Sequence, residues 1–380
     1  MSNSWITKEE TVQFFSHLAL LSLFTFVPVW AQEIGLSDPE IALVATCYGI
    51  TVFGASILSG RISDLIGARK VLVITGLSFG SVAVLGLVLS NNLLTLLFFR
   101  GLTGIGYGIS LPALIALASD KGEKMGRFSS YGTLGFSVGV LVSGIVGLFW
   151  VGGIFIFGFL GMTVSSVWAL FIEEEPPSQK MYQFSILQVF WLRKHVYIAF
   201  MLRHSFASAI WTFWPLFLVS LGADTFWVAI IQMTNMLTQF VVMKKWTDQY
   251  NSQKMVAFGL VASSFTFALY LLPTSFWWII PIQFFLGIGF AILYIGTLRY
   301  SIELSPFDRS TAVGIQQAMQ SLASILGSAI ALTFSLLQAS YTEIIGFAAL
   351  ATLALFIFFI AYEFLTHGFS EVSRPNLSLR

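Results

Sequence analysis

Long apolar stretches separated by short polar ones run the length of the chain, and the apolar stretches lack the two-residue alternation of a half-buried strand. A bilayer core of about 30 Å needs roughly 20 apolar residues per helix, whereas a membrane strand needs about 9 to 11. On that template the sequence predicts twelve helical spans, over 12–32, 40–60, 70–90, 93–118, 127–149, 153–172, 195–220, 225–246, 254–272, 275–300, 310–338 and 342–364. The longest polar interruption, FIEEEPPSQKMYQFSILQVFWLRK, follows the sixth span, where an acidic run and Pro176 and Pro177 stop the helix. It divides the chain into a six-helix bundle over 1–172, a linker over 173–194, a second six-helix bundle over 195–366 and a tail over 367–380. Within the linker, Gln183 to Trp191 is expected to lie along the membrane surface as a short amphipathic helix.

Composition turns this pattern into a class. The 380 residues are 57% hydrophobic and only 10% charged, against about 25% charged in an ordinary soluble domain. An all-α integral membrane protein follows. A net charge of +1 gives no basic excess for nucleic acid, and the single cysteine, Cys47, excludes an internal disulfide or a multi-thiolate metal site. The opening MSNSWITKEE lacks a basic n-region, so the first span is expected to be retained.

The placement of charge orients the spans. All but Arg100 and Arg203 of the 19 basic residues fall on one side of the twelve-span topology, among them Lys8, Arg61, Arg69, Lys70, Lys121, Arg127, Lys244 and Arg309. The opposite loops carry Glu33, Asp38, Glu40, Asp224 and Glu343 and no base. Both termini are therefore expected in the cytoplasm of a multi-pass cell-membrane protein.

An internal repeat supports the division. A shift of 187 residues lays FVPVWAQEIGLS, from Phe26, on FWPLFLVSLGAD, from Phe213; a shift of 186 lays FFRGLTGIG, from Phe98, beside FFLGIGFAI, from Phe284. Repeated halves are the plan of transporters whose site lies at the repeat interface.

After span two the sequence reads SGRISDLIGARKVL. Gly60 permits close helix approach, Asp64 offers a carboxylate to a cation or a helix N-terminus, Gly67 allows a tight turn, and Arg69 and Lys70 hold the loop to the basic side. This string resembles the signature loop of the major facilitator superfamily, of the form G-x-x-x-D-x-x-G-x-R-K. Span four, LLFFRGLTGIGYG, looks like that family's second motif, with Arg100 as its intramembrane arginine and Thr103 in place of the usual glutamine. The resemblance implies two six-helix bundles around a central cavity, lined by helices one, four, seven and ten and worked by alternating access. It further implies that Arg100 ties helix four to helix one, and that Gly60, Asp64, Gly67 and Arg69 gate the cytoplasmic side. Leu65 and Ala68 stand where members often carry arginine, which leaves Arg69 with Asp120 as the expected latch. Span five keeps Gly135 and Gly139 but lacks the Gly-Pro pair typical of the family's antiporters, which disfavours drug/proton antiport.

Ionisable groups in lipid cost roughly 2.5 to 3.5 kcal/mol or more, so each needs a partner or a purpose. Arg100 and Arg203 each read as a substrate ligand or as a structural group, a tie for the first and a snorkelling side chain for the second. The shift of 187 pairs His17 with His204, either packed or placed in a shared cavity as hydrogen-bonding or proton-carrying groups. On span eight Gln232, Asn235 and Gln239 share a face, and Gln316, Gln317 and Gln320 cluster on span eleven. These amides bond between helices or, with Trp211 beside His204, line a solute cavity.

No G-x-x-x-x-G-K-[ST] loop and no Ser-His-Asp or metal-ligand set is present, so neither ATP hydrolysis nor enzymatic chemistry is expected, and no cofactor. The sequence is expected to encode a monomeric secondary transporter of a small organic solute, an organic anion before a lipophilic drug, with a coupling proton or other ion left open. A non-transporting membrane receptor is the reading from a different class.

Overall fold

A computed structural model describes residues 6–174, 184–223, 225–303 and 307–367. Among them thirteen α-helices form and no strand: α1 Lys8–Glu33, α2 Asp38–Ile66, α3 Arg69–Leu87, α4 Leu93–Asp120, α5 Met125–Gly147, α6 Gly152–Leu170, α7 Ile186–Leu192, α8 Lys194–Ser220, α9 Thr225–Lys245, α10 Ser252–Leu269, α11 Ile279–Glu303, α12 Arg309–Leu336 and α13 Tyr341–His367. All except α7 fall on the spans read from the sequence. Nine described helices are long and apolar enough to cross a bilayer; α8, α9 and α10 fall outside that set. These three carry Arg203 and His204, the amides of α9, and Ser263 and Ser264.

Local capping sets several boundaries that hydropathy alone misplaces. Thr7 Oγ1 accepts from Glu10 N (3.1 Å) while Glu10 Oε2 accepts from Thr7 N (2.9 Å), so α1 starts four residues before its apolar run. Asn92 caps α4 by accepting from Thr95 N (3.0 Å). In the linker Ser185 and Gln188 form a reciprocal cap, so α7 starts at Ile186.

The packing of α1–α6 is repeated in α8–α13. In the first group α1 packs on α5 and α6, α3 on α4 and α6, and α2 on α4. In the second, α8 packs on α12 and α13, α10 on α11 and α13, and α9 on α11. The groups meet where α2 packs on α12 and α5 on α9. Small residues bring these helices to backbone contact, as lipid-embedded helices require without a hydrophobic drive between them. On α5, a β-carbon at Gly139 would run into the Leu18 carbonyl oxygen of α1. Gly139→Leu is therefore expected to cost about 2–3 kcal/mol, read as a lower thermal midpoint of the detergent-purified protein; an unchanged midpoint would refute the contact.

Candidate functional site

The motif after span two is helical for most of its length. Hydropathy ends that span near residue 60, but α2 continues to Ile66, because Ser59 and Ser63 are buried against neighbouring helices. Gly60 and Asp64 thus sit on the last turns of α2, and the loop shrinks to Gly67 and Ala68. Gly67 adopts φ 70°, a left-handed turn that a β-carbon would strain. Chain reversal there brings Arg69 back onto α2, where its Nη2 lies 3.2 Å from Asp64 Oδ1 and its Nε 2.7 Å from Asp120 Oδ2.

Asp64 also reaches the second group of helices. Its carboxylate accepts from Ser310 N (3.2 Å), Thr311 N (2.6 Å) and Thr311 Oγ1 (2.7 Å), the unsatisfied donors at the start of α12. A carboxylate there also meets the positive end of the helix dipole. Close approach is required: a β-carbon on Gly60 would stand 2.5 Å from the Ser310 carbonyl oxygen, and one on Gly314 would strike that of Ser56. Two further ion pairs cross the same seam, Arg309 Nη1 to Asp120 Oδ1 at 2.8 Å and Arg61 Nη1 to Asp308 Oδ1 at 3.1 Å. Burial raises the Asp308 carboxyl above its ordinary range, opposed by the Phe184 amide and then by Arg61.

A second cap mirrors the first. Asp248, just past α9 in the short turn Thr247–Gln249, accepts from Gly126 N (2.8 Å) and Arg127 N (2.9 Å) at the start of α5. Arg299 of α11 fixes that turn by donating to the carbonyls of Thr247 (2.8 Å) and Tyr250 (3.0 Å) and pairing with Glu303 at 3.0 Å. Each helix group thus holds the N-terminus of a helix of the other with one aspartate, at the end of the bundle where α1 begins. The sequence reading missed Asp248. A shift of 184 rather than 187 would have shown it, since it lays Ser63, Asp64 and Lys70 on Thr247, Asp248 and Lys254.

The intramembrane candidates do not gather in one place. Arg100 is 3% exposed and stacks on the Tyr48 ring of α2, 3.8 Å to the centroid, with Nε and Nη1 unpaired. A tie from α4 to α1 is made by the Tyr107 hydroxyl, which donates to Ser16 O at 2.5 Å; Tyr107 lies about two turns further along α4 than Arg100. His17 and His204 do not meet. His17 packs on Phe136 of α5 (4.8 Å) and engages Gln13 O at 3.0 Å, whereas His204 stacks on Phe200 at 5.7 Å within α8. Arg203 is turned towards α10 and α11: its Nε donates to Ser263 Oγ at 2.8 Å and its guanidinium lies over Phe267 and Phe290. Trp211 packs on Trp214 at 4.8 Å.

The amides divide between bonded and unpaired. Gln239 Nε2 donates to Asn235 Oδ1 (2.5 Å), and Asn235 Nδ2 to the Gln283 carbonyl of α11 (3.4 Å). Gln316 is fully buried with neither amide atom paired, and Gln320 is half-buried on the same helix. Further along α12, Ser321, Ser324 and Ser328 each donate to the carbonyl one turn back.

Comparison with known proteins gives the arrangement a context. The family model of the Major Facilitator Superfamily matches residues 11–238 and again 196–378. The voltage-gated purine nucleotide uniporter SLC17A9 of Mus musculus is 32% identical over 123 residues, 31% of this chain and 28% of that protein. The chain thus covers under a third of that relative's length. The quinolone resistance protein NorA of Staphylococcus aureus is 22% identical over 323 residues, 80% of this chain and 83% of NorA. Among solved structures, the human organic anion transporter MFSD10 (TETRAN) superposes with a TM-score of 0.76 at 14% identity, covering 93% of this chain and 98% of that one.

Proposed function

The chain belongs to the major facilitator superfamily, and on that premise we propose that it is a secondary transporter carrying a small organic anion across the cell membrane by alternating access. The moving parts are 1–172 and 195–366, six membrane-crossing helices each, whose internal packing repeats pair for pair. Lys8, Arg61, Arg69, Lys121, Arg127, Lys244 and Arg309 share the end where α1 begins, which supports a cytoplasmic assignment for that end. The hydrogen bonds and ion pairs joining the two groups lie there, which supports reading the described state as closed towards the cytoplasm. Asp64 and Asp248 hold it shut, with Arg69 and Asp120 bracing the first cap.

The observation that carries the substrate class is Arg100, a buried guanidinium with two unpaired nitrogens and no ion-pair partner among the described residues. An uncompensated charge in that setting costs several kcal/mol, of order 3–5, and a bound anion supplies the compensation. Gln316 and Gln320, with Asn235 and Gln239 across α9, offer the amide donors and acceptors for the rest of the solute. Efflux of lipophilic drugs is the competing reading, supported by the long match to NorA. A thermal-shift panel on the purified protein separates the two. Carboxylates are expected to raise the midpoint and cationic drugs to leave it unchanged, while a response to cationic drugs alone would replace the first reading with the second. Counterflow of the stabilising solute in proteoliposomes then tests transport, and its failure would leave a receptor.

A further inference from the structure

Arg203 has a setting that the transport path does not use. It is 2% exposed and points from α8 into the wedge made with α10 and α11. α10 packs on α11 and α13 and so lies on the far side of the second helix group from α2 and α5. Snorkelling does not describe a side chain enclosed in this way. Among the described residues its single hydrogen bond is to Ser263, whose own hydroxyl proton goes to Gly259 O at 2.7 Å. Among the described residues Arg203 has no ion-pair partner, and its Nη2 is unpaired.

The wedge holds more donors than acceptors. Tyr270, 1% exposed, has its hydroxyl unpaired and lies at the end of α10, one turn on from Phe267, whose ring the Arg203 guanidinium covers. Trp214, 3% exposed, packs 5.0 Å from the Tyr270 ring with its Nε1 also unpaired. The walls around them are apolar rings, Phe267 of α10 and Phe290 of α11. Buried donors without acceptors are costly, and the Tyr270 hydroxyl near an uncompensated cation, with the Trp214 Nε1 behind it, calls for a small, anionic, acceptor-only occupant. A carboxylate on a large organic solute would have to bring its body into closely packed aromatic walls.

We propose that Arg203, Tyr270 and Trp214 form a binding site for a small inorganic monovalent anion, of the chloride class, inside the second six-helix group. The ion neutralises the guanidinium and ties α8 to α10, so its occupancy sets how firmly that group holds together. This assignment does not rest on the identity of the transported solute.

The test uses the full chain in detergent without organic solute. Thermal midpoints are measured across a series of sodium chloride and sodium gluconate mixtures at constant ionic strength. Chloride is expected to raise the midpoint saturably and gluconate to leave it flat. Tyr270→Phe, which keeps the ring and removes one donor to a charged group, is expected to raise the half-saturating chloride concentration about tenfold or more. Arg203→Gln is expected to abolish the response. In crystals soaked with sodium bromide, an anomalous peak is expected beside Arg203 Nη2. Equal midpoints in chloride and gluconate would overturn the proposal, as would a Tyr270→Phe response matching the parent or a bromide peak only elsewhere. Such a failure would leave the response to organic anions, read separately, untouched.

Discussion

Asp64→Asn is expected to lower the initial rate of transport at least tenfold while the protein still folds and inserts. The asparagine has the same shape, but one of its two terminal atoms is a donor, and the Ser310, Thr311 and Arg69 groups facing Asp64 are donors too. Ser310 N and Arg69 face Oδ1, and Thr311 N and Oγ1 face Oδ2. Whichever way the amide turns, one pair of donors loses its acceptor, and the charge that the start of α12 favours is gone. A hydrogen bond to a charged group contributes about 1.5–3 kcal/mol, and about 1.4 kcal/mol moves a two-state population tenfold. The closed cytoplasmic end therefore gives way and the cycle stalls with that end open. Measurement is direct. In a Cys47→Ser background, a cysteine at Ala312, fully buried beneath the seam, is expected to react slowly with an impermeant maleimide from the cytoplasmic side. Asp64→Asn should speed that reaction at least tenfold; equal rates would remove Asp64 from the gate. Asp248 holds the companion seam, so Asp248→Asn is expected to act in the same direction and the double variant more strongly than either alone.

Arg100→Gln is expected to abolish transport of the organic anion and its thermal stabilisation, with little loss of folding stability. The guanidinium has no carboxylate to orphan, so removing it leaves no unpaired buried charge behind, unlike the loss of one member of an ion pair. What goes is the cation over Tyr48 and the two free nitrogens that a carboxylate could engage side by side. Arg100→Lys keeps the charge without the planar fork and is expected to retain weak binding, with affinity down about tenfold or more. Uptake at saturating solute, together with the midpoint shift, checks both. Full activity in Arg100→Gln would make the residue structural and return the substrate question to the amides.

Helix placement was legible because the membrane imposes it: nine of the apolar runs became described helices long and apolar enough to cross a bilayer, and the other three became α8, α9 and α10, each near its expected place. Edges moved where capping chemistry outweighed hydropathy, at Thr7 and Glu10 and at Gly67. The charge string around Asp64 could be read as a gate from the resemblance alone. Its partners could not, because Ser310, Thr311 and Asp308 lie some 245 residues away and offer mainly backbone donors or a single carboxylate. Side-chain direction within spans was the least readable feature. His17 and His204 occupy matching places in the repeat, yet one packs on Phe136 of α5 and the other on Phe200 of its own helix and Phe290 of α11. Arg203 faces α10 because Ser263 and the rings of Phe267 and Phe290 lie there, a fact of packing that no spacing rule contains.

The hydroxyls of α12 bear on how such a molecule can shift shape repeatedly without sticking. Ser321, Ser324 and Ser328 satisfy themselves on their own helix, so these three hydroxyls need not trade partners when water enters or leaves. The helix can thus slide past its neighbours on a lubricated track, leaving the aspartate clasps at one end to decide which way the molecule rests.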